Sequence, residues 1–293
     1  MILGTVQLGL PYGIANASGQ PSQEVADEIV QTAWAGGVRT FDTAQGYGES
    51  EAVLGRSFRR CGLARNAQVI SKLSPALSHY DAFALEASVR QSLDNLGIPS
   101  LSVLMFHREE QLPMLDGVVG DDIRQLHGKG LFQLFGISVY TPEAALSALR
   151  HPDINVVQLP ASLFDRRFEA AGVFAFAERL GKAIHIRSAL LQGVLCMEPG
   201  ALPVHLNPLK PFLQEFRKLC GEHGLPPASL ALAWLLRRYP TAHVLFGAET
   251  PEQVKKNLDL PDQNDTNFMS IEDGLESCLP PQCPELLNPS LWK

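Results

Sequence analysis

The sequence predicts a single-domain α/β protein, a closed (β/α)8 barrel, and three observations carry that expectation. Short apolar runs alternate with longer amphipathic segments about eight times, the pattern of parallel strands covered by helices. The length of 293 residues sits near the upper limit for one hydrophobic core and near the usual size of such a barrel. An open doubly wound sheet is the alternative, but it opens on a glycine-rich phosphate turn and no GxGxxG occurs here.

The strands, in order, are "ILGTVQL", "RTFD", "AQVISK", "SLSVLMFH", "FQLFGIS", "NVVQL", "AIHIRS" and "AHVLFG". Between the first two, "SQEVADEIVQTAWAGG" opens on Ser22 and repeats apolar residues at i, i+3, i+4 and i+7, which is a helix. "ESEAVLG" is helix-like, and "DAFALEASVRQSLDNLG" has the same spacing and stops at Gly97, a residue type suited to the position past a helix end. "GDDIRQLHGKG", "TPEAALSALRHP", "FEAAGVFAFAERLGK", "PLKPFLQEFRKLCGEHG", "PASLALAWLLRRYP" and "TPEQVKKNLDL" complete the helices. Thr141-Pro142 and Thr250-Pro251 each read as a capping hydroxyl followed by a proline in the first turn. Trp34 and Trp234 fall on amphipathic helices and are expected in the core. The barrel is assigned to 1–260, with the Pro/Asn/Asp-rich 261–293 as an extension packing on its outside.

Composition narrows the function. A net charge of -7 with no Lys/Arg-dense run argues against nucleic acid. The best apolar run, "ASLALAWLL", stops at Arg237-Arg238, far short of the roughly 20 residues a membrane span needs. "MILGTVQLGL" has no basic n-region or small-residue cleavage site, so no secretion signal is expected. Five scattered cysteines without a CxxC read as reduced thiols of a cytoplasmic protein. "CLPPQC" could hold a tail disulfide or metal, but lone thiols around prolines are a weak signal, and no metal site is assigned.

The polar residues that close the early strands carry the chemistry. "RTFD" ends on Asp42, "VISK" on Lys72 and "LMFH" on His107, and Tyr47 lies in the loop after Asp42. In a barrel these strand ends converge on one face. The four groups suit proton donation to a carbonyl oxygen. A phenol, with a pKa of about 10, is too weak an acid near neutrality unless its anion is stabilised. Lys72 nearby would lower that value, and Asp42 would keep Lys72 charged and oriented. A neutral His107 can donate to the carbonyl and fix its angle. Gly46 and Gly48 let the chain turn so that the phenol points into the mouth.

"FDTAQGYGESEAVLG", "SKL", "LMFH" and "GISVY" together resemble the aldo-keto reductases, over nearly the whole chain from Gly4 to about Asn257. The resemblance implies a (β/α)8 barrel that binds NAD(P)(H) without a Rossmann fold. It places a catalytic tetrad on Asp42, Tyr47, Lys72 and His107, with Tyr47 as general acid and base. It also places Ser138 and Gln158 at the nicotinamide carboxamide. "LFGAETPEQVKKN" is similar to the family's adenosine-phosphate stretch, matching at Gly247, Ala248, Thr250, Gln253 and Asn257, with Asn257 on adenine.

Three departures matter. Glu249 stands where many relatives carry Arg or Lys for the 2′-phosphate. A carboxylate repels that group and can accept from a free ribose hydroxyl, so the expectation leans to NAD(H). Lys255 or Lys256 can still supply a cation for NADP(H), and a Glu249 turned to solvent stays open. Val139 replaces an Asn of the carboxamide site. Arg187 replaces an aromatic that stacks on the nicotinamide; over the cationic oxidised ring a guanidinium is unfavourable. Cofactor phosphate and an anionic or polyhydroxylated substrate are the two open partners for it. Tyr12, in "GLPYGIAN", reads as pocket wall or plain packing, and Arg166-Arg167 as a solvated helix start. The long "LLQGVLCMEPGALPVHLNPLK" reads as a loop able to fold over the cofactor.

The expected function is therefore an NAD(P)(H)-dependent oxidoreductase acting on a small-molecule carbonyl substrate. It would reduce an aldehyde or ketone, sugar-derived ones included, with hydride from nicotinamide C4 and the proton from Tyr47. The alternative is a regulatory protein that senses the nicotinamide cofactor on the same barrel with little turnover.

Overall fold

Eight strands form the sheet: β1 (Ile2–Gly4), β2 (Thr40–Asp42), β3 (Gln68–Leu73), β4 (Leu101–Phe106), β5 (Phe132–Ser138), β6 (Val156–Pro160), β7 (Ala183–Arg187) and β8 (His243–Gly247). All neighbours pair in parallel, and β1 pairs with both β2 and β8, so the sheet closes into a barrel as the alternation predicts. The computed structural model describes residues 1–16, 19–75, 82–261 and 266–292. Asp81, in the sequence-predicted start of one helix, and 262–265 of the extension lie outside the described residues.

Side chains alternate across each strand. Leu3, Phe41, Val69, Leu104 and Phe106 face outward into the main core between sheet and helices. Ile2, Ile70, Val103, Met105, Val156 and Leu245 pack together inside the barrel. Gly136 makes room there, since a Cβ would lie 2.6 Å from the Val156 carbonyl oxygen and 3.3 Å from Met105 Cε. One inward position nearer the carboxyl ends, on or just past each strand, stand Gly4, Asp42, Lys72, His107, Ser138, Gln158, Arg187 and Gly247. Within one repeat of the pleat the interior changes from apolar to polar or side-chain-free. That layer is the floor of the site.

The caps behave as the sequence predicts. Thr141 Oγ1 accepts from the Ala144 N–H at 3.3 Å and Thr250 Oγ1 from the Gln253 N–H at 3.2 Å, opening helices Pro142–Arg150 and Pro251–Leu258. Gly97, just past helix Ala82–Leu96, has φ 66°, the left-handed conformation glycine tolerates. Trp234 is fully buried, whereas Trp34 sits at the core's edge with the Arg39 guanidinium 4.1 Å from its ring centroid.

Four stretches differ from the sequence reading. "ILGTVQL" is not one strand: β1 stops at Gly4 and Val6–Gly9 forms a helical turn. Thr5 leaves the sheet because its hydroxyl donates to the Asp42 carbonyl at 2.9 Å and its own carbonyl accepts from Ser50 Oγ at 2.7 Å. "FEAAGVFAFAERLGK" is split into Arg167–Ala170 and Val173–Arg179 by Gly172 at φ 74°. The stretch after β7 is wound into 3₁₀ turns at Leu191–Cys196, Pro199–Ala201 and Val204–Leu209. Arg166 and Arg167 are not solvated. Arg166 is 6% exposed, pairs with Glu276 and lies over the Trp234 ring, while Arg167 grips Asp165 through two hydrogen bonds of 2.9 and 2.8 Å. Glu276 belongs to helix Thr266–Ser277, whose Ile271 and Leu275 are buried in the main core.

Candidate active site

The Tyr47 turn is built by close backbone approach. Gly48 has φ 54° and lies against the Gly9 carbonyl, where an added Cβ would come within 2.5 Å. Gly9 in turn passes so near that a Cβ on it would sit 1.9 Å from the Tyr47 carbonyl oxygen. Gly46 needs no special φ; it leaves room for His107, whose ring atoms would be 3.4–3.5 Å from a Cβ there. Ser50 anchors the far side. Its hydroxyl meets those of Thr5 at 2.9 Å and Thr43 at 3.0 Å, tying the turns after β1 and β2 to the start of helix Ser50–Cys61.

All four tetrad residues meet at this mouth. Lys72 Nζ donates to Asp42 Oδ1 at 2.5 Å and to the Thr43 carbonyl at 3.0 Å, and both Lys72 and Asp42 are buried. Nζ also lies 5.0 Å from the Tyr47 ring centroid. The Tyr47 and His107 rings meet edge to face at 5.5 Å. His107 is placed by its backbone: the N–H groups of His107 and Arg108 both donate to Gln111 Oε1 at 3.1 Å. Its Nδ1 is buried without a hydrogen-bond partner, leaving the imidazole uncommitted.

Electrostatics departs from the sequence reading in one respect. Burial pushes the Tyr47 phenol above its ordinary value, the Asp42 charge adds to this, and the cation that opposes them is Arg187 rather than Lys72. Lys72 is itself pulled down by burial while Asp42 holds it up, so the ammonium's charge is balanced by the carboxylate beside it. His107 is lowered to about 3, first by burial and then by Lys72 and Arg187, and is neutral at physiological pH.

The residues placed at the carboxamide by resemblance are engaged within the protein. Gln158 Nε2 donates to Asp42 Oδ2 at 2.7 Å, so Asp42 is held from both sides. Ser138 Oγ accepts from Arg187 Nε at 3.3 Å, and the Val139 carbonyl accepts from Arg187 Nη2 at 3.0 Å.

A cavity of about 500 Å³ runs from Asp42, Tyr47, Gln158 and Arg187 to Gly247, Ala248, Glu249, Gln253 and Asn257. Tyr12 lines it too, its hydroxyl accepting from Gln192 Nε2 at 3.2 Å across the rim. The far end is tied together by side-chain hydrogen bonds. Asn257 Nδ2 donates to the Gly247 carbonyl at 3.2 Å, the Glu249 N–H donates to Gln253 Oε1 at 2.7 Å, and Thr250 caps the helix below. Gln7 lies against Gly247, where a Cβ would be 2.4 Å from its Nε2, and Gln7 Oε1 is buried without a partner. The orphaned amide and the glycine wall, in a cavity that runs from Tyr47 to Asn257, fit a nicotinamide dinucleotide. Among the described residues no His/Cys/Asp/Glu cluster is arranged to hold a metal, and no helix is long and apolar enough to cross a membrane.

Several contributors escape sequence reasoning. Gln7 was read as strand, and Arg217 looks like an ordinary charge on helix Lys210–Glu222. Arg217 nevertheless lines the cavity, donating to the Met197 carbonyl at 3.2 Å and pairing with Glu198. Ser188, Leu191 and Gln192 adopt positive φ (57°, 49° and 52°) where Gly13 and Ala15 press against this loop. Only Gly193, at φ 93°, gave a local signal for that bend.

A closed parallel barrel with an Asp–Lys–Tyr–His mouth beside a cavity of about 500 Å³ defines an oxidoreductase of the aldo-keto reductase type. The chain belongs to the aldo/keto reductase family, whose model matches residues 1–267. It is 23% identical to the NADH-specific methylglyoxal reductase of Escherichia coli (strain K12), over 94% of this chain and 95% of that protein. It is 24% identical to the pyridoxal 4-dehydrogenase of Microbacterium luteolum, over 94% of each. Among solved structures it is similar in fold to the glycerol dehydrogenase of Gluconobacter oxydans, with a TM-score of 0.75, 21% identity and coverage of 100% and 94%. An aldo-keto reductase of Bacillus halodurans in its holo form gives 0.76, with 17% identity and coverage of 97% and 92%.

Proposed function

We propose that the protein is a nicotinamide-dependent carbonyl reductase in which Tyr47 protonates the substrate oxygen. The observation that carries this reading is the convergence of the buried Lys72–Asp42 pair and a neutral His107 on the Tyr47 ring, with Tyr47 and Asp42 lining the cavity. A nicotinamide cofactor held in this cavity would supply or take the hydride. Tyr47, held protonated by its buried site, donates to the oxygen as negative charge develops on it, and Arg187 stabilises the phenolate left behind. His107 donates from neutral imidazole and orients the carbonyl. Asp42, pinned by Lys72 and Gln158, holds the ammonium in place.

Gln7, Gly247, Gln253 and Asn257 would hold the cofactor. Glu249 at the cavity wall supports NAD(H), in line with the NADH specificity named for the Escherichia coli relative. The compartment proposed is the cytoplasm, on the evidence of its free cysteines. A sensing role has one observation in its favour, the engagement of Ser138 and Gln158 within the protein. It predicts tight cofactor binding with no turnover of any carbonyl compound.

The decisive measurement is loss of reduced-cofactor absorbance with a panel of aldehydes, ketones and aldoses. Tyr47→Phe should keep cofactor affinity and lower kcat by about 10²- to 10⁴-fold, the usual contribution of positioned acid catalysis. Near-normal kcat in that variant removes Tyr47 from the role.

A further inference from the structure

Arg187 reaches from the end of β7 into the mouth with its charge unanswered. Its Nε and one Nη2 donor are used on Ser138 Oγ and the Val139 carbonyl, and its guanidinium carbon lies 4.0 Å from the Tyr140 ring centroid. Tyr140 is fixed in turn, because its N–H and that of Thr141 donate to Glu109 Oε2 at 2.6 and 3.0 Å. The guanidinium is thus clamped on two edges and one face. A guanidinium carries five N–H donors, so the Nη1 pair and one Nη2 donor remain.

No carboxylate among the described residues pairs with it. Asp42, the acidic side chain at this end of the cavity, has Oδ1 on Lys72 and Oδ2 on Gln158. Lys72 and Asp42 cancel and His107 is neutral, which leaves one net positive charge beside Tyr47. An unpaired cation in a partly desolvated pocket is costly, and a fixed fork is the shape that receives a carboxylate.

We infer that Arg187 binds an anionic group of the substrate, so that the carbonyl compound reduced beside Tyr47 is an oxo acid and not a neutral aldehyde or sugar. This rests on the reductase reading above. The same cation is able to take a phosphate of the cofactor, so the experiment separates the two sources.

The kcat/KM of the wild type is measured for succinic semialdehyde and para-formylbenzoate against their methyl esters. Each acid should exceed its ester by about tenfold to a hundredfold, the range of a hydrogen bond to a charged group. The advantage should appear mainly in KM. Arg187→Gln should abolish this preference and Arg187→Lys keep part of it. Esters used as well as acids by the wild type, or a preference unchanged in Arg187→Gln, overturns the inference and leaves the reductase intact. Weaker NADH or NADPH binding in Arg187→Gln, with the acid preference kept, assigns the residue to the cofactor instead. Should that variant not fold, inhibition of the wild type decides. Benzoate competing with the aldehyde where benzamide does not supports the inference, and equal inhibition overturns it. Absence of turnover with every acid and ester overturns the reductase reading itself, a result distinct from all of these.

Discussion

At the scale of single residues, the Tyr47 phenol is a donor kept protonated by its surroundings. Because burial and Asp42 raise its pKa above the ordinary value of about 10, the acid form persists further into alkali. The kcat/KM for reduction should therefore stay level through neutrality and fall only above about pH 10, while alcohol oxidation, which needs the phenolate, climbs over the same range. Arg187→Gln removes the opposing cation and should move that edge still higher, as initial rates from pH 6 to 11 will report. Glu249→Arg tests the other end of the cavity. Exchanging a repelling carboxylate for a cation should shift the NADPH/NADH ratio of kcat/KM by roughly tenfold or more towards NADPH. The four positions that meet at the mouth were legible in the sequence because Asp42, Lys72 and His107 close apolar strands and Tyr47 follows Asp42 in the same short stretch. The Gln158–Asp42 bond was not, since it joins residues 116 apart that only barrel closure brings together. Nor was Arg187 as the countercharge to Tyr47, because which cation faces a phenol depends on distances that strand spacing does not encode.

At the scale of elements, the turn carrying Tyr47 is shaped from below by Gly9. Gly9→Ala drives a methyl into the Tyr47 carbonyl and the Ser50 N–H, both backbone atoms that cannot rotate away. The turn must shift, so kcat should fall more than KM rises, with about 1–3 kcal/mol of stability lost to overpacking. Kinetics and a thermal melt of the variant check both. Strand ends and helix caps were readable here because Thr141, Thr250 and Gly97 act through neighbours in sequence. Arg166-Arg167 was misread for the opposite reason. Two arginines at a helix start look solvated until their acceptors appear, and Glu276 is 110 residues away. The break at Gly172 was hidden as well, since one glycine in an amphipathic run is compatible with a continuous helix.

At the scale of the whole molecule, the barrel interior holds a buried neutral histidine. His185 is 6% exposed, stands in register between Gln158 and His243, and is lowered to about 3 chiefly by burial. A folded value below the unfolded one of about 6.5 means that the unfolded chain binds more protons in between. Its contribution is complete above pH 6.5 and is lost as the pH falls towards 3, amounting to roughly 2 kcal/mol by pH 5. His107 acts in the same sense. His185→Leu should consequently narrow the gap between thermal midpoints at pH 7.5 and pH 5, compared with wild type. The barrel itself was legible from alternation and length, because burying both faces of a parallel sheet imposes a pattern on the entire chain. Its cavity was only half legible, since walls such as Arg217 come from helices whose local pattern answers to packing alone. One property of the closure remains. β1 and β8 pair in parallel with Gly4 in register opposite Gly247, and the same two glycines wall the cavity. A ligand in that cavity would touch the first strand and the last together, like a clasp across a seam, so the thermal midpoint should rise with its concentration.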